Sequence, residues 1–241
     1  MGKLRALGPQ LSLGVRCTTI RGKLDNSIKN TDWNPSGLLI AAALLLSVAI
    51  ALRFVFKHIE FIPQVLIEDY IELISMMLVI MYLQRIYPLK INDFWPEKLN
   101  KAIAVGFLGG LLVSVGNLKL LFSVTDKFDQ NDFIGFGTGI FNASAYLVIS
   151  IIIIPIAEEI IFRGNVYRVL KNRYDIFWAT LVTCILWTIM HGNITAAITG
   201  VLFIAIYEYT KSLGSCILAH IMTNAIYFVA VYSHAGHLTT G

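Results

Sequence analysis

Two adjacent glutamates within an apolar run are the strongest chemical signal in this sequence. The segment PIAEEIIFR, from Pro155 to Arg163, contains Glu158 and Glu159. Adjacent residues on a helix point about 100° apart, so the two carboxylates need different partners. Arg163 follows Glu159 by four residues, the spacing at which a carboxylate and a guanidinium meet on one helix face. This pairing predicts that Glu159 stays ionised and that Glu158 is left for other chemistry.

Two later apolar segments carry further groups that could take part in catalysis. One ends in WTIMHGN with His191, and the other contains AHIMTN, in which His220 and Asn224 share a helix face at i and i+4. If the helix of Glu158 continues to about Arg173 and turns back, His191 lies opposite Glu158. Ionisable groups inside membrane spans are costly and usually functional, so the coincidence predicts one catalytic site.

The depth of His220 is harder to reconcile with this site. It lies only nine residues beyond Lys211, so a regular span would place it nearer the membrane surface than His191. A broken or tilted segment around 191–194 would bring the two histidines to one depth. Pro155, one turn before Glu158, removes a backbone donor and predicts a bend where water could enter.

The composition determines the class of scaffold that must position these residues. The 241 residues are 56% hydrophobic and only 14% charged, with a mean hydropathy of +0.70. One soluble core could not bury so much apolar surface, so lipid must be the solvent. We predict an all-α, polytopic transmembrane bundle of about seven spans (six to eight), at 37–56, 66–83, 101–122, 134–161, 176–191, 195–210 and 214–233.

The distribution of basic residues predicts the topology. Residues 1–36 read as an uncleaved basic cytoplasmic tail, and residues 37–241 as one membrane domain. Fifteen of the 19 Lys and Arg residues then fall on the side of the N-terminus, which predicts a cytoplasmic N-terminus and an external C-terminus. The net charge of +4 follows from this topology and does not indicate nucleic-acid binding. The expected partner is the lipid bilayer, and the short chain suggests a prokaryotic plasma membrane.

Two other groups of residues have a structural interpretation. Glu68, Asp69 and Glu72 lie in the first two turns of the second span, where we expect an interfacial, solvated face. The glycines of the third span and of the approach to the fourth are small residues that let helices approach closely in lipid. They are Gly106, Gly109, Gly110, Gly135, Gly137 and Gly139.

The motif residues resemble the CPBP family, the CAAX protease and bacteriocin-processing (Abi) family. Its pattern is EExxxR, then FxxxH, then HxxxN, each on its own helix. Here the three motifs read Glu158-Glu159 with Arg163, Trp187 to His191, and His220 to Asn224, over about residues 153–227. Trp187 replaces the usual phenylalanine, which affects the shape of the pocket more than its chemistry. The resemblance implies a CAAX-protease-like helical fold.

The resemblance also implies a mechanism and a substrate class. Glu158 would be the general base that activates water together with His191, while His220 and Asn224 would polarise the water and stabilise the oxyanion. Glu159, Arg163 and Trp187 would shape the site, and the substrate would be a membrane-embedded or lipidated peptide. No cofactor is favoured, because HExxH is absent and asparagine is a poor zinc ligand. If zinc is bound, its ligands would be Glu158, His191 and His220.

Two other functions stay open from the sequence. A bacteriocin self-immunity or membrane binding protein could keep the motifs without essential catalysis. A small transporter would need broken helices with charges in both halves of a repeat, and the first three spans lack such a counterpart.

Overall fold

The computed structural model describes residues 36–56, 64–95, 99–124 and 140–238. The predicted basic tail lies outside these ranges except for Ser36. Regular secondary structure in them is helical, which confirms the all-α prediction. The elements are α1 (Ser36–Phe56), α2 (Gln64–Ile86), α3 (Ile91–Phe94), α4 (Leu99–Val124), α5 (Ile140–Val148), π1 (Ile149–Ile153), α6 (Ile154–Glu159), π2 (Ile160–Tyr167), α7 (Arg168–Arg173), α8 (Ile176–His191), α9 (Thr195–Thr210) and α10 (Leu213–Leu238).

The segments from α5 to α7 follow one another without a break and form one long helix, here called the central helix. It runs past Ile161, where the predicted fourth span ended, and continues to Arg173. It ends where Tyr174 becomes extended, and the Asp175 side chain then caps α8 by accepting from the Trp178 amide. The hairpin expected between the helix of Glu158 and that of His191 is therefore present.

The lengths of the helices suit a membrane. Within the described ranges, four stretches are long and apolar enough to cross one: Ser36–Phe56, Leu99–Asn117, Ser144–Arg173 and Leu213–Ala230. The apolar helices α8 and α9 have 16 residues each, about 24 Å at 1.5 Å per residue, which is less than a hydrocarbon core of about 30 Å. The chain is thus a helical membrane protein, while seven complete crossings stay a prediction.

Glycines bring α4 close to its neighbours. A Cβ atom added at Gly106 would lie 2.7 Å from the Ser215 carbonyl oxygen, and one at Gly110 would lie 2.7 Å from that of Ala219, both on α10. At Gly109 the added atom would meet the Ile206 side chain of α9 at 2.6 Å. The packing interpretation is confirmed for these three glycines, whereas Gly135, Gly137 and Gly139 lie outside the described residues.

The start of α10 is buried beneath the connection that contains α3. Ser212 and Leu213 have no exposed surface, and the Ser212 hydroxyl donates to the Phe94 carbonyl at 2.7 Å. Arg168 of the central helix holds the same connection through Asp93, with 2.9 Å between nitrogen and oxygen. Protein therefore covers the first turn of α10, so this turn is buried although it lies close to Lys211 in the chain.

Candidate active site

Glu158 lies in the short segment α6, between π1 and π2, and its side chain is almost wholly buried. Its Oε1 lies 3.6 Å from Nε2 of His191, and its Oε2 lies 3.5 Å from Nε2 of His220. Both distances are just beyond hydrogen-bond length. The carboxylate thus faces two imidazoles from two other helices, as the sequence predicted for His191.

The Glu159 side chain contacts Arg163 and His220. Its Oε1 accepts from Arg163 Nη1 at 2.9 Å, and Nδ1 of His220 lies 3.0 Å from the same oxygen. Glu159 and Arg163 have no exposed side-chain surface, and Arg163 also donates to the Gly200 carbonyl at 3.3 Å. The predicted contact between Glu159 and Arg163 is confirmed. The adjacent carboxylates therefore have separate environments, one paired with a cation and one facing two histidines.

The partners of the two histidines define which nitrogen is available. Nδ1 of His191 lies 2.8 Å from the Trp187 carbonyl oxygen, which can only accept, so Nδ1 carries the hydrogen. Nδ1 of His220 faces the Glu159 oxygen that also accepts from Arg163, so the hydrogen of that ring is placed on Nδ1 in the same way. In the neutral rings, Nε2 is then the free nitrogen of each, and both Nε2 atoms face Glu158.

The depth of His220 has a structural explanation. Helix α8 ends at His191, Gly192 adopts a left-handed conformation at φ 61°, and α9 begins at Thr195, so the expected break is present. The start of α10 is also buried within the protein, and His220 lies only two turns beyond Leu213. Counting from Lys211 assumed that the α9–α10 turn lies at the membrane surface.

Asn224 lies one turn beyond His220, and its described hydrogen bond is to the central helix. Its Nδ2 donates to the Ser150 carbonyl oxygen at 3.1 Å. Because a carbonyl only accepts, this contact identifies the amide orientation. Asn224 is half-buried beside the site, and its amide has a second hydrogen to donate.

Trp187 forms an aromatic wall of the site. It is 1% exposed, and its ring centroid lies 4.2 Å from that of His191. The Arg163 guanidinium carbon lies 4.2 Å from the centroid of the same indole. The indole N–H has no hydrogen-bond partner among the described residues. A phenylalanine would lack this buried donor, so the tryptophan changes the packing and leaves the histidine contact in place.

A cavity of about 490 Å³ adjoins the site between α1, α2, π2 and α8. Its wall is mostly apolar and includes Phe162, which packs edge-on against Trp187 with centroids 4.9 Å apart, and Met190, next to His191. Glu72 and Arg53 supply polar groups. None of the seven predicted site residues lines the cavity, which approaches the site through Phe162 and Met190 and suits an apolar guest.

The sequence interpretation missed several contributors to this region. Asp69 was expected on a solvated face, but it is half-buried and accepts from the Ser150 hydroxyl at 2.6 Å. Glu68 fits the expectation better, since it is 42% exposed and pairs with Arg53. Phe203 packs against His220 with ring centroids 5.0 Å apart. A polar residue within the apolar run ISIIII was the one signal that could have pointed to Ser150.

The donor types around Glu158 also bear on a metal. One carboxylate and two imidazoles are ligands that zinc accepts, and hydrogen bonds to both Nδ1 atoms are typical of zinc-bound histidines. Within the part of the chain that the structure describes, however, no group of three or more His, Cys, Asp or Glu side chains has a metal-binding arrangement. The ligand types fit zinc, and their present spacing does not.

Comparison with known proteins identifies the segment that carries this site. Residues 140–226 match a family model described as "Type II CAAX prenyl endopeptidase Rce1-like", and all seven predicted site residues lie within that match. The match covers less than half of the chain and supports the CPBP resemblance of residues 140–226, here called the CPBP segment. With its apolar helices, the CPBP segment makes the chain an integral membrane protein.

One curated relative matches part of the chain. The chain is 32% identical over 82 residues to "Putative membrane peptidase YdiL" from Bacillus subtilis (strain 168). The aligned region is 32% of this chain and 34% of the relative, so about a third of the relative is matched. No solved structure matches the chain. Both descriptions are of peptidases and support a membrane protease.

Proposed function

We propose that this chain is an intramembrane endopeptidase in which Glu158 activates a water molecule that hydrolyses a peptide bond. One observation carries the proposal: of two adjacent buried carboxylates, Glu159 takes the arginine, and Glu158 faces two histidines. Burying a carboxylate without a cation costs free energy, and a protein that retains one usually uses it.

The proposed reaction begins with a water held between Glu158 and His191. Glu158 accepts a proton from the water as its oxygen attacks the carbonyl carbon of the scissile bond. The C–N bond of the tetrahedral intermediate then breaks, and the nitrogen takes the proton back from Glu158. The products are a carboxylic acid and an amine, and the enzyme returns to its starting state.

The developing negative charge needs hydrogen-bond donors. We assign this role to Asn224, through its second amide hydrogen, and to the protonated form of His220, because Nε2 can donate only when both ring nitrogens carry hydrogen. Glu159 holds the His220 ring in place through Nδ1. Donors fixed before the reaction stabilise an oxyanion better than mobile water does, and removing one costs about 10²–10³ in kcat in other hydrolases. Glu159 and Arg163 then act as positioning residues.

The cavity beside the site supports a membrane-embedded or lipidated peptide as substrate. Its apolar wall, with Phe162 and Met190 nearest the catalytic groups, would hold a hydrocarbon group or apolar side chains near Glu158. A soluble, strongly polar peptide would leave this wall unfilled and should be a poor substrate.

We also propose that the N-terminus is cytoplasmic in the plasma membrane of a prokaryote. The basic residues of the α2–α3 connection and of α7 support this orientation. A membrane-impermeant thiol reagent should then label Gly241→Cys but not Lys90→Cys in intact cells. The reverse pattern would overturn the orientation.

The function is tested by cleavage of farnesylated, acylated and unmodified membrane peptides by the protein purified in detergent. Wild type, Glu158→Gln and the control Glu208→Gln are compared with and without a zinc chelator. We expect cleavage that survives chelation, is lost in Glu158→Gln and is retained in Glu208→Gln. Loss on chelation would replace the glutamate mechanism by zinc hydrolysis, and no cleavage by wild type would replace the protease by a binding role.

A further inference from the structure

Pro155 interrupts the backbone hydrogen bonding just before the site. In π1, the Ile154 amide donates to the Ile149 carbonyl, the i to i+5 pattern of a π-helix. The same pattern would pair the Ser150 carbonyl with the amide of residue 155. That residue is proline, which has no N–H. The Ser150 carbonyl therefore lacks its partner within the π pattern.

Asn224 supplies the missing donor. Its Nδ2 lies 3.1 Å from the Ser150 carbonyl oxygen, across the contact between the central helix and α10. An amide NH2 group has two hydrogens, so one is fixed by Ser150 and the other stays available. The proline thus creates an acceptor that anchors the asparagine.

Ser150 is itself held from a third helix. Its hydroxyl donates to Asp69 of α2 at 2.6 Å, a short bond of the kind formed with a charged acceptor. Three helices therefore meet at one residue: α2 through Asp69, the central helix through Ser150, and α10 through Asn224. This chain of contacts is independent of the pairs that hold Glu159 and His220.

We infer that Pro155, Ser150 and Asp69 are positioning residues that aim the Asn224 amide at the oxyanion. The inference rests on the proposed function, because it gives Asn224 a transition-state role. It assigns a purpose to three residues outside the motif glutamates, histidines and asparagine.

The most telling variant is Pro155→Ala. It restores an N–H that can donate to the Ser150 carbonyl and so competes with Asn224. Alanine also favours a helix far more than proline does, so the unfolding temperature should stay equal or rise. We expect kcat to fall by about ten- to a hundredfold with KM unchanged, the size of effect that small misplacements of catalytic groups produce.

A double-mutant cycle separates positioning from general packing. In an Asn224→Ala background, Pro155→Ala should cause no further loss, because the amide it would misplace is gone. Asp69→Leu and Ser150→Ala should each lower kcat in wild type and not in Asn224→Ala. Ser114→Ala is the matched control, since Ser114 is a buried serine of α4 whose hydroxyl bonds to the Gly110 carbonyl. It should leave kcat unchanged.

Three results would overturn the inference. The first is a kcat of Pro155→Ala equal to that of wild type, and the second is a further loss of kcat when Pro155→Ala is added to Asn224→Ala. The third is a fall in activity that follows a lower unfolding temperature. Failure of the proposed function is distinguishable, because wild type would then not cleave at all or Glu158→Gln would cleave as well as wild type, whatever the Pro155 variant does.

Discussion

Two clusters of charged residues in this protein use similar side chains in opposite ways. In the first, Glu208 of α9 contacts Lys171 at 2.5 Å, Lys211, and the Tyr167 hydroxyl at 3.1 Å. Its lysines are 35% and 60% exposed, so solvent shares in their charge. In the second, Glu158 and Glu159 are buried and have one arginine between them.

The difference lies in how the charges balance. Glu208 has two cations for one carboxylate, which is enough for a purely structural pair that joins the central helix to α9. The buried cluster has two carboxylates for one guanidinium, and two histidines fill the remaining space. A second carboxyl group buried without a cation stabilises nothing by itself, which supports the proposal that this cluster is functional.

The largest stability effect is expected from Arg163→Met. Removing the arginine leaves Glu159 buried without its cation, which should cost about 3–5 kcal/mol of unfolding free energy. Unfolding in mixed detergent micelles measures this. Adding Glu159→Leu should regain much of the stability without activity, since His220 would lose its anchor. The control is Arg53→Met, because Arg53 is 56% exposed and pairs with Glu68, which is 42% exposed, so its loss should cost about 1 kcal/mol or less. Equal losses of unfolding free energy in the two arginine variants would contradict the distinction between the buried cluster and an exposed ion pair.

His191→Ala should lower kcat by about 10²-fold, the size typical of a proton-handling group. Since His191 and Glu158 act on one water, the variant that combines His191→Ala with Glu158→Gln should be no slower than Glu158→Gln alone. Single-turnover cleavage measures both. Losses that multiply would show that the two residues act on separate steps.

The variant Trp187→Phe tests how the aromatic wall contributes to stability and to cleavage. The phenyl ring would lose most of the contact with Arg163, so the unfolding free energy should fall by about 1 kcal/mol, the size of a cation–π contact. Cleavage should stay within about fivefold of wild type. Trp178→Phe, on the exposed side of α8, is the control and should change neither quantity. A collapse of activity in Trp187→Phe alone would make the indole N–H part of the catalytic machinery.

The smallest effect is expected at the paired cluster. Glu208→Gln should change the unfolding free energy by less than about 1 kcal/mol, because partly exposed ion pairs contribute little. Cleavage should be unchanged. A large loss of activity in Glu208→Gln would contradict the purely structural role that the comparison gives to the Glu208 cluster.

Much of the site was predictable because local spacing determined it. The four-residue step from Glu159 to Arg163 fixes one contact, and the hairpin through Tyr174 brings His191 opposite Glu158. Other features depend on distant chain segments. The burial of the start of α10 depends on the α3 connection, which lies far away in the sequence, and no pattern within α10 indicates it. The role of Ser150 requires α2, the central helix and α10 together, so a serine in an apolar run could not be distinguished from a packing residue.

The central claim, that Glu158 activates water, is tested most directly by single-turnover cleavage in H₂¹⁸O with enzyme in excess over a membrane peptide. Direct attack by water predicts one ¹⁸O atom in the new carboxyl group of the product and none in the Glu158 side chain. An unlabelled product together with label on Glu158 would contradict the account, because it would mean that the glutamate attacks the peptide bond itself.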